Sequence, residues 1–164
     1  MDPVTVSVTI DKPREVVFDY LADIANHPEF MDHFLKDWRL TRVESYGRGA
    51  GARFRVIGPL NRFSWEDVTF LEVQPPHRIL AVGRGGKFNR IKTSAEWRLE
   101  PTAGGGTRVE YTYETVPTLF SDKFVDAVRG RTWFRLGAKR GMKRLQAILE
   151  EGRDRGQRAT VAGL

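Results

Sequence analysis

Ser121 to Glu151, SDKFVDAVRGRTWFRLGAKRGMKRLQAILEE, is the stretch in which the sequence changes its period. Up to that point the apolar residues alternate or sit between turn residues. Within it, Phe134, Ala138, Gly141, Met142, Leu145, Ile148 and Leu149 recur at the i, i+3, i+4, i+7 spacing of one helix face. Arg135, Lys139, Arg140, Lys143 and Arg144 fall on the opposite side. A helix of roughly 30 residues is about 45 Å long at ~1.5 Å per residue, long enough to cross a whole sheet. Its inner face carries small residues, Gly137, Ala138 and Gly141, where a packed helix usually presents Leu. Such residues either let another backbone approach closely or leave a void beneath them, and a void is where a function can reside.

Working outward, the segments before the helix read as strands. Val4, Val6, Val8 and Ile10 alternate with Thr5, Ser7 and Thr9, the pattern of a half-buried strand. Asp11 and Pro13 then mark a helix start, and Val17, Phe18, Leu21 and Ile24 give that helix an inner face. Asn26-His27-Pro28 interrupts it, and a second short helix carries Phe30, Met31 and Phe34. Strands are predicted over Trp38–Tyr46, Ala52–Ile57, Phe63–Gln74, Ile79–Arg84, Phe88–Glu100 and Thr107–Thr115. They are separated by turn chemistry such as Gly58-Pro59, Pro75-Pro76 and Gly85-Gly86. Strands at hairpin spacing imply an antiparallel meander. The expectation is an α+β domain, residues 1–151: a curved seven-stranded antiparallel sheet wrapped around the long C-terminal helix, with two short helices after the first strand. Residues 152–164 lack periodicity and are expected to form a flexible tail.

The 164 residues carry 27 basic and 21 acidic side chains, a formal charge of +6, and no cysteine. Disulfides, thiolate nucleophiles and zinc–thiolate sites are thereby excluded. The chain shows neither an apolar run of membrane-spanning length nor a basic-then-apolar leader, so a cytoplasmic location is expected. His27, His33 and His77 do not share a metal-ligand spacing, and neither a metal nor a cofactor is expected. Gly47-Arg48-Gly49-Ala50-Gly51 lies between strands rather than between a strand and a helix, so it reads as a turn and not as a phosphate loop. Nothing resembles a nucleophile elbow or a Ser-His-acid set.

Several pieces carry a family resemblance. They are Val8-Thr9-Ile10-Asp11-Lys12-Pro13-Arg14-Glu15-Val16-Val17-Phe18, Asp23-Ile24-Ala25-Asn26-His27-Pro28-Glu29-Phe30, Pro75-Pro76-His77-Arg78-Ile79-Leu80, Glu96-Trp97-Arg98-Leu99 and Gly105-Gly106-Thr107-Arg108-Val109. On these the chain resembles helix-grip proteins of the START/Bet v1-like superfamily and is similar to the polyketide cyclase/dehydrase and lipid-transport family. The resemblance implies a cavity between sheet and helix that takes an apolar or amphipathic small molecule.

Cavity candidates are polar or aromatic residues on otherwise apolar faces. Trp65, Asp67, Trp97, Tyr111 and Tyr113 qualify on the strands, and Phe134, Ala138, Gly141 and Met142 on the helix. Arg131 lies toward the apolar side of the helix, where it needs an acid such as Asp67 or Glu66, or an anionic ligand. Three functions fit. The first is a carrier of a lipid, an isoprenoid quinone or a polyketide-like aromatic, biased to anionic membranes by its basic helix. The second is an aromatase/cyclase-type enzyme working by acid–base chemistry. The third is a regulatory protein using the basic helix face. A nucleic-acid partner is not expected, because no stacking platform accompanies the cations; a monomer or a homodimer is.

Overall fold

A computed structural model describes residues 1–58, 64–116 and 130–162. The chain runs β1 (Val4–Ile10), α1 (Arg14–Ala22), a 3-10 turn (Ile24–Asn26), α2 (His27–Met31), β2 (Leu35–Leu40), β3 (Gly51–Val56), β4 (Trp65–Gln74), β5 (Arg78–Gly85), β6 (Ile91–Pro101), β7 (Thr107–Val116) and α3 (Arg131–Glu151). All seven strands join one sheet in the order β1-β7-β6-β5-β4-β3-β2, every pair antiparallel. Hairpins link β2 through β7 in sequence. The two short helices carry the chain from one sheet edge, β1, to the other, β2. The sheet curls into a half-barrel and α3 fills its open side: Phe134, Ala138, Met142, Leu145 and Ile148 are all buried.

Two boundaries differ from the sequence pattern. The second strand begins at Leu35 and ends at Leu40, rather than running from Trp38 to Tyr46. A register shift between Lys36 and Arg39, with Asp37 in the left-handed region (φ 54°), turns both Leu35 and Trp38 inward. Two inward residues three apart do not read as strand alternation. The described part of the long helix starts at Arg131; its expected first turns fall in 117–129, outside the described residues.

The small residues of α3 mark close packing. A Cβ on Gly141 would lie 3.2 Å from the Phe30 carbonyl oxygen, and one on Gly137 would lie 2.8 Å from the Phe34 ring. α2 and the residues after it therefore rest directly on the helix backbone, and the void expected under Gly141 is absent there. Arg144, on the expected polar side, is drawn into the same contact. It pairs with Asp32 and donates from Nη2 to the carbonyls of Glu29 (2.9 Å) and Asp154 (3.0 Å).

The tail expected to fray docks instead. Gly152 ends α3 in the left-handed conformation (φ 67°), and the chain turns back along α2. The N–H groups of Gly156 and Ala159 donate to the carbonyls of Glu29 and Ala25, each at 2.9 Å, and the Leu40 N–H donates to Thr160 O at 2.8 Å. Arg158 pairs with Asp23 at 2.6 Å, and Ala159 is buried. Main-chain bonding of this kind needs no side-chain periodicity, which is why the sequence pattern is silent about it.

Candidate functional site

The site is built by thinning of the sheet's inner surface. Along β5 the inward side chains shrink toward the strand's end: Ile79, Ala81, Gly83, Gly85. Register places Ala81 between Phe70 on β4 and Ala95 on β6, and Ala95 beside Tyr113 on β7. Two alanines flanked by larger rings leave a hollow. Trp97, beside Ile79 and Tyr111, closes one side of it, its ring 4.2 Å from that of Tyr111. Leu35, Trp38 and Phe54 wall the β2–β3 side, His27 and Met31 come from α2, and Phe134 from α3 covers the top. Phe134 stacks on Tyr113 (4.2 Å, 16° between planes), so one ring pair joins helix to sheet above the hollow. The space open to water centres is about 30 Å3. A water needs roughly 10–15 Å3 on that measure, so the cavity is sized for about two waters.

The apolar wall is interrupted by the Glu66 carboxyl with the Tyr113 hydroxyl bonded to it, by His27 and by Tyr111. Glu66 is buried and points inward from β4, its Oε1 accepting from Thr93 Oγ1 (2.6 Å) and its Oε2 from Tyr113 OH (3.0 Å). Burial raises its pKa from the usual 4.5 to about 7, against the two hydrogen bonds, which favour the charged form. Near neutral pH this carboxyl is therefore poised between donor and acceptor. Gly83 makes room for it: a Cβ there would sit 2.6 Å from Thr93 Oγ1 and 3.3 Å from Glu66 Oε1. The second group is His27. Its Nε2 lies 2.8 Å from the Leu21 carbonyl oxygen, which can only accept, so Nε2 carries the proton and Nδ1 keeps a lone pair. Burial holds its pKa down at about 4, so the ring is neutral. It is boxed by Phe30, Phe70 and Trp97 at 5.5–5.6 Å between ring centroids. The third is Tyr111, whose hydroxyl has no hydrogen-bond partner among the described residues; burial, and then the charge on Glu66, raise its pKa.

Of the residues singled out from sequence, Trp97, Tyr111, Tyr113 and Phe134 line this cavity. The others lie elsewhere. Trp65 and Asp67 occupy the outer face of β4, where Asp67 takes two hydrogen bonds from Arg53, both 2.8 Å. Arg131 is about half exposed, lies 3.9 Å from Asp2, and among the described residues pairs with neither Asp67 nor Glu66. Ala138, Gly141 and Met142 are buried in helix packing away from the cavity. The phase of β4 is what turns Trp65 and Asp67 outward. Its inward row is Glu66, Val68, Phe70, and a register shift after Phe70 then brings Val73 opposite Ile79, so no single alternation fits the whole strand. A carboxylate in phase with Val68 and Phe70 is the signal that identifies Glu66. His27 gave no comparable signal, because its role follows from the cross-chain position of α2.

Among the described residues no helix is long and apolar enough to cross a membrane. The model of the family described as polyketide cyclase/dehydrase and lipid transport matches residues 1–150, and the chain belongs to that family. No curated protein matches the chain. Solved structures share its fold. A Thermus thermophilus protein is 16% identical, with 88% of this chain and 94% of that one covered and a TM-score of 0.67. One from Deinococcus radiodurans is 20% identical, with coverage of 92% and 98% and a TM-score of 0.61. DynU16, from the dynemicin biosynthetic locus, is 19% identical with a TM-score of 0.63; 95% of this chain aligns with 50% of that one. At these identities the likeness extends to the fold alone.

Proposed function

We propose that this member of the polyketide cyclase/dehydrase and lipid-transport family binds an apolar or amphipathic small molecule between its sheet and α3. The Glu66 carboxyl meets the ligand's polar group. The observation that carries this reading is a titratable carboxyl inside an aromatic-walled hollow. Burying it works against stability unless its proton or charge is used, and an apolar side chain would fill the same space at no such cost. His27 Nδ1 and the Tyr111 hydroxyl add an acceptor and a donor on the same wall, which suits a lipid headgroup, a quinone or a polyketide-like aromatic. Such ligands exceed two waters in volume, so the walls move to admit them. Phe134 and Met31 are the side chains that helices bring to the cavity, together with His27 and Ile24.

Ala95→Val tests the reading by filling the hollow from the sheet side. The variant should fold, lose binding of an uncharged naphthalene dye, and carry no co-purifying small molecule in native mass spectrometry. Undiminished dye binding would place the ligand elsewhere.

One observation favours a second reading, a cyclase or dehydrase enzyme. A carboxyl with a pKa of about 7 beside a tyrosine hydroxyl is matched to general acid–base work at neutral pH. Turnover of a poly-β-ketone surrogate that falls on the order of 10²–10⁴-fold in Glu66→Gln would establish it.

A further inference from the structure

The polar groups that line the cavity differ in what they offer a ligand. Nε2 of His27 is committed to the Leu21 carbonyl, so this neutral ring has only its Nδ1 lone pair left to offer. Glu66 in its ionised form only accepts, and the Tyr111 hydroxyl can accept or donate. Acceptors therefore predominate, and the complementary ligand group is one that donates.

Charge points the same way. The hydrogen bonds to Glu66 come from the neutral hydroxyls of Thr93 and Tyr113. Among the described residues the one charge acting on it is that of Asp67, its neighbour on β4, which lies on the outer face and is paired with Arg53. The residues in register with Glu66 on β3 and β5, Phe54 and Gly85, carry no charge. A buried carboxylate held by hydroxyls alone is costly, and a cation in the hollow would offset that cost where an anion would add to it. Three ring pairs line the same hollow: Trp38 with Phe54 at 4.3 Å, and Trp97 with Tyr111 and Tyr113 with Phe134 at 4.2 Å each. Aromatic faces carry partial negative charge and attract a cation that has shed its water.

We propose that the ligand is an amphipathic amine, whose ammonium group meets Glu66 and whose apolar body fills the rest of the aromatic hollow. This rests on the proposed ligand binding and narrows its ligand class. A primary ammonium supplies three N–H donors and a positive charge together, which matches acceptor, carboxylate and rings at once. A carboxylate ligand is an acceptor of like charge and is disfavoured on both counts. Between pH 5 and 8 His27 stays neutral, above its pKa of about 4, and burial keeps the proton on Tyr111, so neither competes with Glu66 as the titrating group.

Benzylamine, benzyl alcohol and benzoate put a cation, a neutral hydroxyl and an anion on the same ring, and calorimetric titration of each at pH 8 tests the proposal. Benzylamine should bind about tenfold or more tighter than the alcohol, a discounted value for one ion contact at an effective dielectric of about 20, and benzoate should not bind. Glu66 takes up its proton below about pH 7, and an ammonium favours the ionised form. Benzylamine should therefore weaken as the pH falls from 8 to 5, and its binding at pH 6.5 should release protons to the buffer. Glu66→Gln should bring the amine down to the affinity of the alcohol and abolish the pH dependence. Alcohol binding as tight as amine binding in the wild type would overturn the proposal, and this comparison decides even if the variant fails to fold. Amine affinity at pH 8 that survives Glu66→Gln would overturn it as well. Binding of the uncharged naphthalene dye without binding of benzylamine would overturn the amine and leave the ligand cavity standing. Failure of the dye and all three probes would remove the ligand-binding reading, and this inference with it.

Discussion

Glu66→Gln exchanges a buried titratable carboxyl for an uncharged amide of nearly the same shape. Thr93 Oγ1 and Tyr113 OH can each donate or accept, so both hydrogen bonds survive the change with one of them reversed. What disappears is the ionisation. Below pH 4.5 Glu66 is protonated in the folded and the unfolded chain alike and contributes no difference. Between 4.5 and about 7 the unfolded chain gives up this proton while the folded one holds it, so the contribution to stability is progressively lost as pH rises. Above 7 the folded state carries a buried charge and the loss is complete. A gap of about 2.5 between the two pKa values, at ~1.4 kcal/mol per pH unit, amounts to about 3 kcal/mol. Glu66→Gln should therefore match the wild type in urea unfolding at pH 4 and exceed it by about 3 kcal/mol at pH 8. Taking the difference between the two proteins removes the other carboxylates, such as Glu96, whose pKa is lowered. Parallel stability curves from pH 4 to 8 would refute the argument, because they would mean that Glu66 ionises in the fold as freely as in water.

Two further outcomes follow from packing. Gly141→Leu should lower stability by several kcal/mol while dye binding per folded molecule is unchanged, since its side chain would collide with the Phe30 carbonyl rather than enter the cavity; dye binding lost at full stability would restore a void beneath α3. Truncation after Gly152 removes the acceptor for the Leu40 N–H and the partner of Asp23, so amide exchange at Leu40 should speed up markedly and the urea midpoint should fall; unchanged protection at Leu40 would show that the docked tail contributes nothing to that edge of the sheet.

The sequence by itself determined the element order, the antiparallel meander and the buried face of α3. Each of these is written in local periodicity: two for β1 and β7, 3.6 for the run from Phe134 to Ile148, with turn residues between strands. It also put Trp97, Tyr111 and Tyr113 on inward faces, because β6 and β7 keep one alternation over their whole length. What only the tertiary structure decided is where empty space lies and which polar group faces it. A small residue is written identically whether a neighbour's backbone rests on it, as Phe30 does on Gly141, or whether nothing does, as with Ala81 and Ala95. Glu66 shares the phase of Val68 and Phe70, but the register shift after Phe70 breaks that phase along the rest of β4, and the neutral, lone-pair-bearing His27 depends on a carbonyl six residues away in a bent segment. Cavities and buried charges are differences between surfaces that meet across the fold, and no periodicity along one chain segment encodes the surface it will meet.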